Sequence, residues 1–104
     1  MDRIEKLKEY LQENNADSFL QHALALEYIK EGKEAQAKEL FESILQREPT
    51  YVGTYYHLAK LLERTGRPAD AIKVYERGML EAKGAEDNHS YNELQAAYED
   101  LMDY

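Results

Sequence analysis

Residues 23–42, ALALEYIKEGKEAQAKELFE, align without a gap on residues 57–76, HLAKLLERTGRPADAIKVYE, at an offset of 34 residues. Leu24 matches Leu58, Ala25 matches Ala59, Gly32 matches Gly66, Ala37 matches Ala71 and Phe41 matches Tyr75. Chance agreement at this many spaced positions is improbable. A period of this length marks an array in which each copy is one supersecondary unit. A single copy cannot bury its own apolar face, so the copies stack and share a core.

Each copy reads as two helices around a glycine. Leu20, Leu24 and Tyr28 form a helical stripe, and Gly32 stops it in the left-handed conformation that a Cβ would penalise. Leu40, Phe41, Ile44 and Leu45 form the apolar face of the partner helix. Pro49 ends that helix, because the residue before a proline is pushed away from α geometry. Gly66 repeats the stop, and Pro68 opens the following helix, where a missing N–H costs nothing.

These residues resemble the tetratricopeptide repeat family. Its motif runs aromatic, two residues, Leu-Gly, two residues, Tyr, then Ala, three residues, Phe, and then Pro, at a period of about 34 residues. The second copy supplies Tyr55, Leu58, Ala59, Leu62, Ala71 and Tyr75; the first supplies Leu24, Ala25, Tyr28, Ala37, Phe41 and Pro49. Gln21 departs from the leading aromatic. Lys83 stands in the place of the second proline, so that helix runs on or ends differently. Gly78 and Ile44 occupy a site where the family prefers alanine. The resemblance implies an all-α fold, a superhelix of antiparallel helix pairs with about six helices.

The expected single domain holds two repeats, 18–51 and 52–85, between capping helices 2–14 and 88–103. Ile4, Leu7 and Leu11 give the first cap its stripe, and Asn14 and Asn15 break it. Tyr91, Leu94, Tyr98 and Leu101 give the last cap its stripe, displaced by two residues from the strict period. Ser18 with Gln21, and Ser90 with Glu93, read as capping boxes. GAEDNHS, residues 84–90, reads as a linker.

Tyr55 and Tyr56 are neighbours, and neighbours on a helix differ by about 100° around its axis. The alignment gives Tyr55 the core position. The resemblance places Tyr56 in the concave groove lined by the first helix of each pair. Lys60 and Glu63 share its face; Phe19, His22, Leu26 and Ile29 are the counterparts in the first copy, and Asn92 and Ala96 those on the last helix. The expected protein-binding residues are therefore Phe19, His22, Leu26, Tyr56, Lys60, Glu63 and Asn92. Tyr56 packing on a neighbouring helix with its hydroxyl in water is the plainer alternative, and a solvated or locally bonded histidine is the plainer one for His22.

Chemistry is sparse. His22, His57 and His89 are scattered and no cysteine accompanies them, which argues against structural zinc. No calcium loop, phosphate-binding glycine loop or nucleophile elbow is present. No enzyme activity, metal or cofactor is expected. The lysine–asparagine–arginine clamp by which some tetratricopeptide domains hold a chaperone's terminal carboxylate is not reproduced, since only Lys60 and Asn92 have suitable chemistry. The 21 acidic and 13 basic residues give a net charge of −8, which disfavours nucleic acid and anionic membranes as partners. No apolar run approaches a membrane span or a signal peptide, and with the lack of cysteine this suggests a cytoplasmic protein. The expected function is a scaffold or adaptor taking a peptide or protein segment in the groove. The alternative is a structural unit that self-assembles as a homodimer or larger homo-oligomer through the groove or the end helices.

Overall fold

The computed structural model describes residues 2–103. Six α-helices account for the regular structure of the described residues: α1 (Arg3–Glu13), α2 (Ser18–Lys30), α3 (Glu34–Arg47), α4 (Gly53–Arg64), α5 (Pro68–Gly84) and α6 (Asn88–Met102). They form two compact units, one running to Glu48 and the other beginning at Pro49.

In the first unit α1 packs on α2 and α2 on α3. Only three residues separate α2 from α3, so the two helices run antiparallel. Ala25, Ala37, Phe41 and Ile44 are fully buried between them, and Ile4 and Leu7 close the core from α1. Leu24 and Tyr28 of the expected stripe are buried, while Leu20 is half-exposed. Gln21 is buried in place of an aromatic, and both polar atoms of its amide are hydrogen-bonded. Its Nε2 donates to the Asn15 carbonyl at 3.1 Å, and its Oε1 accepts from Arg47 at 2.8 Å. Arg47 also donates to Ser18 Oγ, which donates in turn to Glu48. A buried amide without such partners would cost several kcal/mol, on the order of 2–7.

The second unit repeats the plan with different volumes. Its α4 packs on α5, and α6 packs on α5 and on α4. Tyr55 is 1% exposed, and its hydroxyl donates to the Pro49 carbonyl at 2.6 Å. Pro49 is the counterpart of Asn15 at the 34-residue offset, so the same backbone acceptor serves a tyrosine in one unit and a glutamine in the other. Gly78 lies against Tyr55: a Cβ added there would stand 2.7 Å from Tyr55 Cβ and 3.0 Å from Leu94 Cδ1. In the first unit the corresponding pair is Gln21 and Ile44. The first unit thus has a smaller residue than Tyr55 at one position and a larger one than Gly78 at the other.

The glycine stops are as expected. Gly32 has φ 75° and Gly66 has φ 81°. Each ends its helix in a Schellman motif, with Lys33 N–H donating to the Tyr28 carbonyl and Arg67 N–H to the Leu62 carbonyl, both at 2.8 Å. A third such motif ends α5, where Asp87 N–H donates to the Ala82 carbonyl at 2.9 Å. Here the left-handed residue is Glu86, with φ 57°, and Gly84 lies two residues earlier inside the helix. The expected linker 84–90 is thereby corrected: only residues 85–87 connect α5 to α6, because α5 runs on past Lys83. Both capping boxes are corrected as well. Asp17 caps α2, accepting from Leu20 N–H at 3.0 Å, and Asp87 caps α6, accepting from Ser90 N–H at 3.0 Å. A carboxylate facing the exposed N–H groups of a helix start is the stronger acceptor.

The misplaced glycine gives a stability prediction. Glu86→Gly removes the Cβ penalty at the left-handed position, and Gly84→Ala removes an unneeded glycine from a helix where a Cβ meets nothing within 4 Å. Each is expected to raise stability by about 0.5–1 kcal/mol, seen as a higher urea midpoint at unchanged slope. A lower midpoint for Glu86→Gly would mean that its side chain contributes more than the backbone loses.

Candidate protein-binding surfaces

The two units present separate surfaces. In the first, Phe19, His22 and Leu26 lie on one face of α2. With Ala23, Glu27, Lys30 and Arg3 of α1 they line a hollow of about 270 Å³. Phe19 is 70% exposed, while His22 and Leu26 are half-buried. The His22 ring lies 5.5 Å from that of Phe41, tilted by 52°, so one edge belongs to the core and the other to the surface. Glu27 pairs with both cations of the rim, Arg3 Nε at 3.2 Å and Lys30 Nζ at 3.2 Å. Ile29 is half-buried on the same helix.

In the second unit Tyr56 is half-buried beside the buried Tyr55. Lys60 Nζ stands 5.8 Å from the Tyr56 ring centroid, a cation–π contact. The same ammonium pairs with Glu63 Oε2 at 3.7 Å, and that oxygen accepts the Tyr75 hydroxyl proton in a short hydrogen bond. Glu63 thus ties the surface to the core. Asn92 and Ala96 are exposed on α6. The sequence reading passed over His57, whose ring meets that of Tyr56 edge-on at 5.7 Å. Burial lowers the His57 pKa, and the charge of Glu93 on α6 offsets part of that effect. Its neutral form is therefore favoured at neutral pH. The hollow's Arg3 was also missed, because nothing in its own sequence neighbourhood says which end of α2 it will meet.

The family model for tetratricopeptide repeats matches residues 28–98, more than half of the chain. The chain belongs to the tetratricopeptide repeat family. A crystal structure of a tetratricopeptide repeat domain protein from Salinibacter ruber shares 41% sequence identity with it, over 83% of this chain and 96% of that one, at a TM-score of 0.79. A solution structure of a protein from Bordetella parapertussis shares 24% identity over 98% of this chain and 89% of that one, at a TM-score of 0.84, a likeness of fold. No curated protein matches the chain. Tetratricopeptide repeats are in general protein-binding scaffolds without catalytic activity, which fits the surfaces described. No helix among the described residues is long and apolar enough to cross a membrane.

Proposed function

We propose that this tetratricopeptide chain is a non-enzymatic adaptor that binds a segment of another protein through the first helices of its pairs. Phe19, His22 and Leu26 on α2, Tyr56, Lys60 and Glu63 on α4, and Asn92 on α6 are the contact residues of this reading. The observation that carries it is the division of labour between the two adjacent tyrosines. Tyr55 fills the core, and Tyr56 is held half-exposed under a lysine. A rigid aromatic held in this way buries much area at little entropic cost, as binding hot spots do.

The test is affinity capture of partners by the wild-type chain, followed by titration of the partner found. Tyr56→Ala is expected to weaken binding by about tenfold or more, with helicity unchanged. Lys60→Glu is expected to weaken it further at low salt than at high salt. Chemical-shift changes confined to α1 or α5, with Tyr56 and Lys60 silent, would sink this reading.

A further inference from the structure

Positions that are buried in both repeats are open on α6. Set against the repeats with its two-residue displacement, α6 places Tyr91 with Gln21 and Tyr55, Gln95 with Ala25 and Ala59, and Tyr98 with Tyr28 and Leu62. All of these counterparts are buried, in the helices on which α3 and α5 pack. On α6, Tyr91 and Tyr98 are half-exposed and Gln95 is exposed. Met102, one turn after Tyr98, extends the same arc and is 49% exposed. No helix covers this arc among the described residues, so α6 keeps the aromatic side chains of a covered face without the cover.

The rim decides what kind of helix fits. Glu99 lies one turn from both Gln95 and Met102, and Asp103 one turn beyond Glu99. Neither forms an ion pair among the described residues. On α5, Glu76 accepts the Tyr98 hydroxyl proton at 3.2 Å, and Lys83 lies two turns further along the same side, so those two charges offset each other. Nothing on α6 offsets Glu99 and Asp103, since no lysine or arginine occurs between Asn88 and Asp103. Both acids stand at the end of the helix where unpaired carbonyls already carry partial negative charge, an arrangement that an external cation relieves. A second copy of the chain does not supply that cation on a helix. Counting lysine and arginine against aspartate and glutamate, α4 is the one helix of the six with a positive balance, Lys60 and Arg64 against Glu63. Its apolar face is the core of the second unit.

We propose that this open arc of α6 is a docking face for a basic amphipathic helix of a different protein, which lies on Tyr91, Tyr98 and Met102 and sets lysine or arginine side chains against Glu99 and Asp103. Gln95 stands where both repeats have alanine, so the incoming helix keeps a greater distance than α5 keeps from α4, and the contact is reversible. Met102 adapts to the side chains it meets. The face is separate from the groove of the proposed function, since Asn92 lies about 100° round the helix from Tyr91.

Nuclear magnetic resonance titration of the full chain with two synthetic peptides tests this. One is a leucine–lysine peptide of about four turns with leucines at helical spacing. The other has the same composition in scrambled order. The first is expected to bind saturably, with shift changes centred on Tyr91, Gln95, Tyr98 and Met102, and the second at least about tenfold more weakly. Glu99→Lys/Asp103→Lys is expected to weaken the first peptide about tenfold or more at low salt, with unchanged circular dichroism. Glu9→Lys/Glu13→Lys makes the same change in net charge on exposed positions of α1 and should leave the affinity within about twofold. Equal binding of the two peptides, or equal weakening by the two double variants, would show attraction by overall charge and overturn the proposal. So would the absence of saturable binding. Shift changes centred on Tyr56 and Lys60 instead would overturn it while leaving the adaptor reading intact.

Discussion

Gly78→Ile is expected to unfold the second unit under conditions where the wild type is stable. Even Gly78→Ala is expected to cost about 1–3 kcal/mol, the usual range for overpacking. The new Cβ would stand 2.7 Å from Tyr55 Cβ and 2.9 Å from Tyr55 Cγ. Those atoms belong to the root of the side chain and move only if α4 moves. The first unit shows how an isoleucine is accommodated at the matching position, because there Gln21 replaces the tyrosine and Ile44 fills the space. Tyr55→Gln alone is expected to leave a cavity and to destabilise as well. The double variant Tyr55→Gln/Gly78→Ile should recover part of both losses, with a coupling energy of about 1–3 kcal/mol in a urea double-mutant cycle. Strict additivity would show that the two positions do not share one volume.

Tyr75→Ala is expected to lower stability by about 3–5 kcal/mol, since the ring is fully buried and its loss leaves a cavity. Tyr75→Phe isolates the hydroxyl, whose proton Glu63 accepts, and should cost about 1–3 kcal/mol. The first unit again supplies the control. Its counterparts are Phe41 and Ile29, an apolar pair, so Tyr75→Phe with Glu63→Ile should be milder than Tyr75→Phe alone. The pH dependence follows from the same bond. Burial first, and then the hydrogen bond and charge of Glu63, raise the Tyr75 pKa above its ordinary 10.0. The folded state therefore holds this proton where the unfolded chain releases it. Its stabilising effect is complete below about pH 10 and is lost as pH rises above that. The gap between wild type and Tyr75→Phe in thermal midpoint should shrink over that range. A gap that grows with alkalinity would mean the assigned hydrogen bond is wrong.

The repeat itself was legible because it rests on spacing. Gly32, Gly66, Pro68 and the buried alanines follow from matching positions, and the same matching separated Tyr55 from Tyr56. What was not legible depended on partners distant in sequence or on a residue acting against its type. Gln21 is polar and still buried, because Arg47, 26 residues later, supplies its acceptor's proton. The helix starts were misread because Ser18–Gln21 and Ser90–Glu93 fit a capping pattern, while Asp17, one residue before Ser18, and Asp87, three residues before Ser90, made the bonds. The left-handed position after α5 fell on Glu86, a residue type that gives no sign of it, while Gly84 lies two residues earlier inside the helix. The hollow on α2 needed Arg3 from α1, and sequence periodicity gives a helix its buried face without saying which neighbour's charge will stand over it.

The compensating size differences between Gln21 with Ile44 and Tyr55 with Gly78 also bear on how the chain finds its fold. Four helices built on one pattern could pair wrongly while the chain is still collapsing. Pairing α4 with α3 would set Tyr55 against Ile44, and pairing α2 with α5 would set Gln21 against Gly78, a clash in the first case and a void in the second. Each helix thus carries a steric address that only its own sequence neighbour answers. Nearby helices joined by loops of a few residues already meet fastest. The address ensures that the fastest encounter is also the one that lasts, so exchanging helices between the two repeats should yield chains that collapse readily and pack badly.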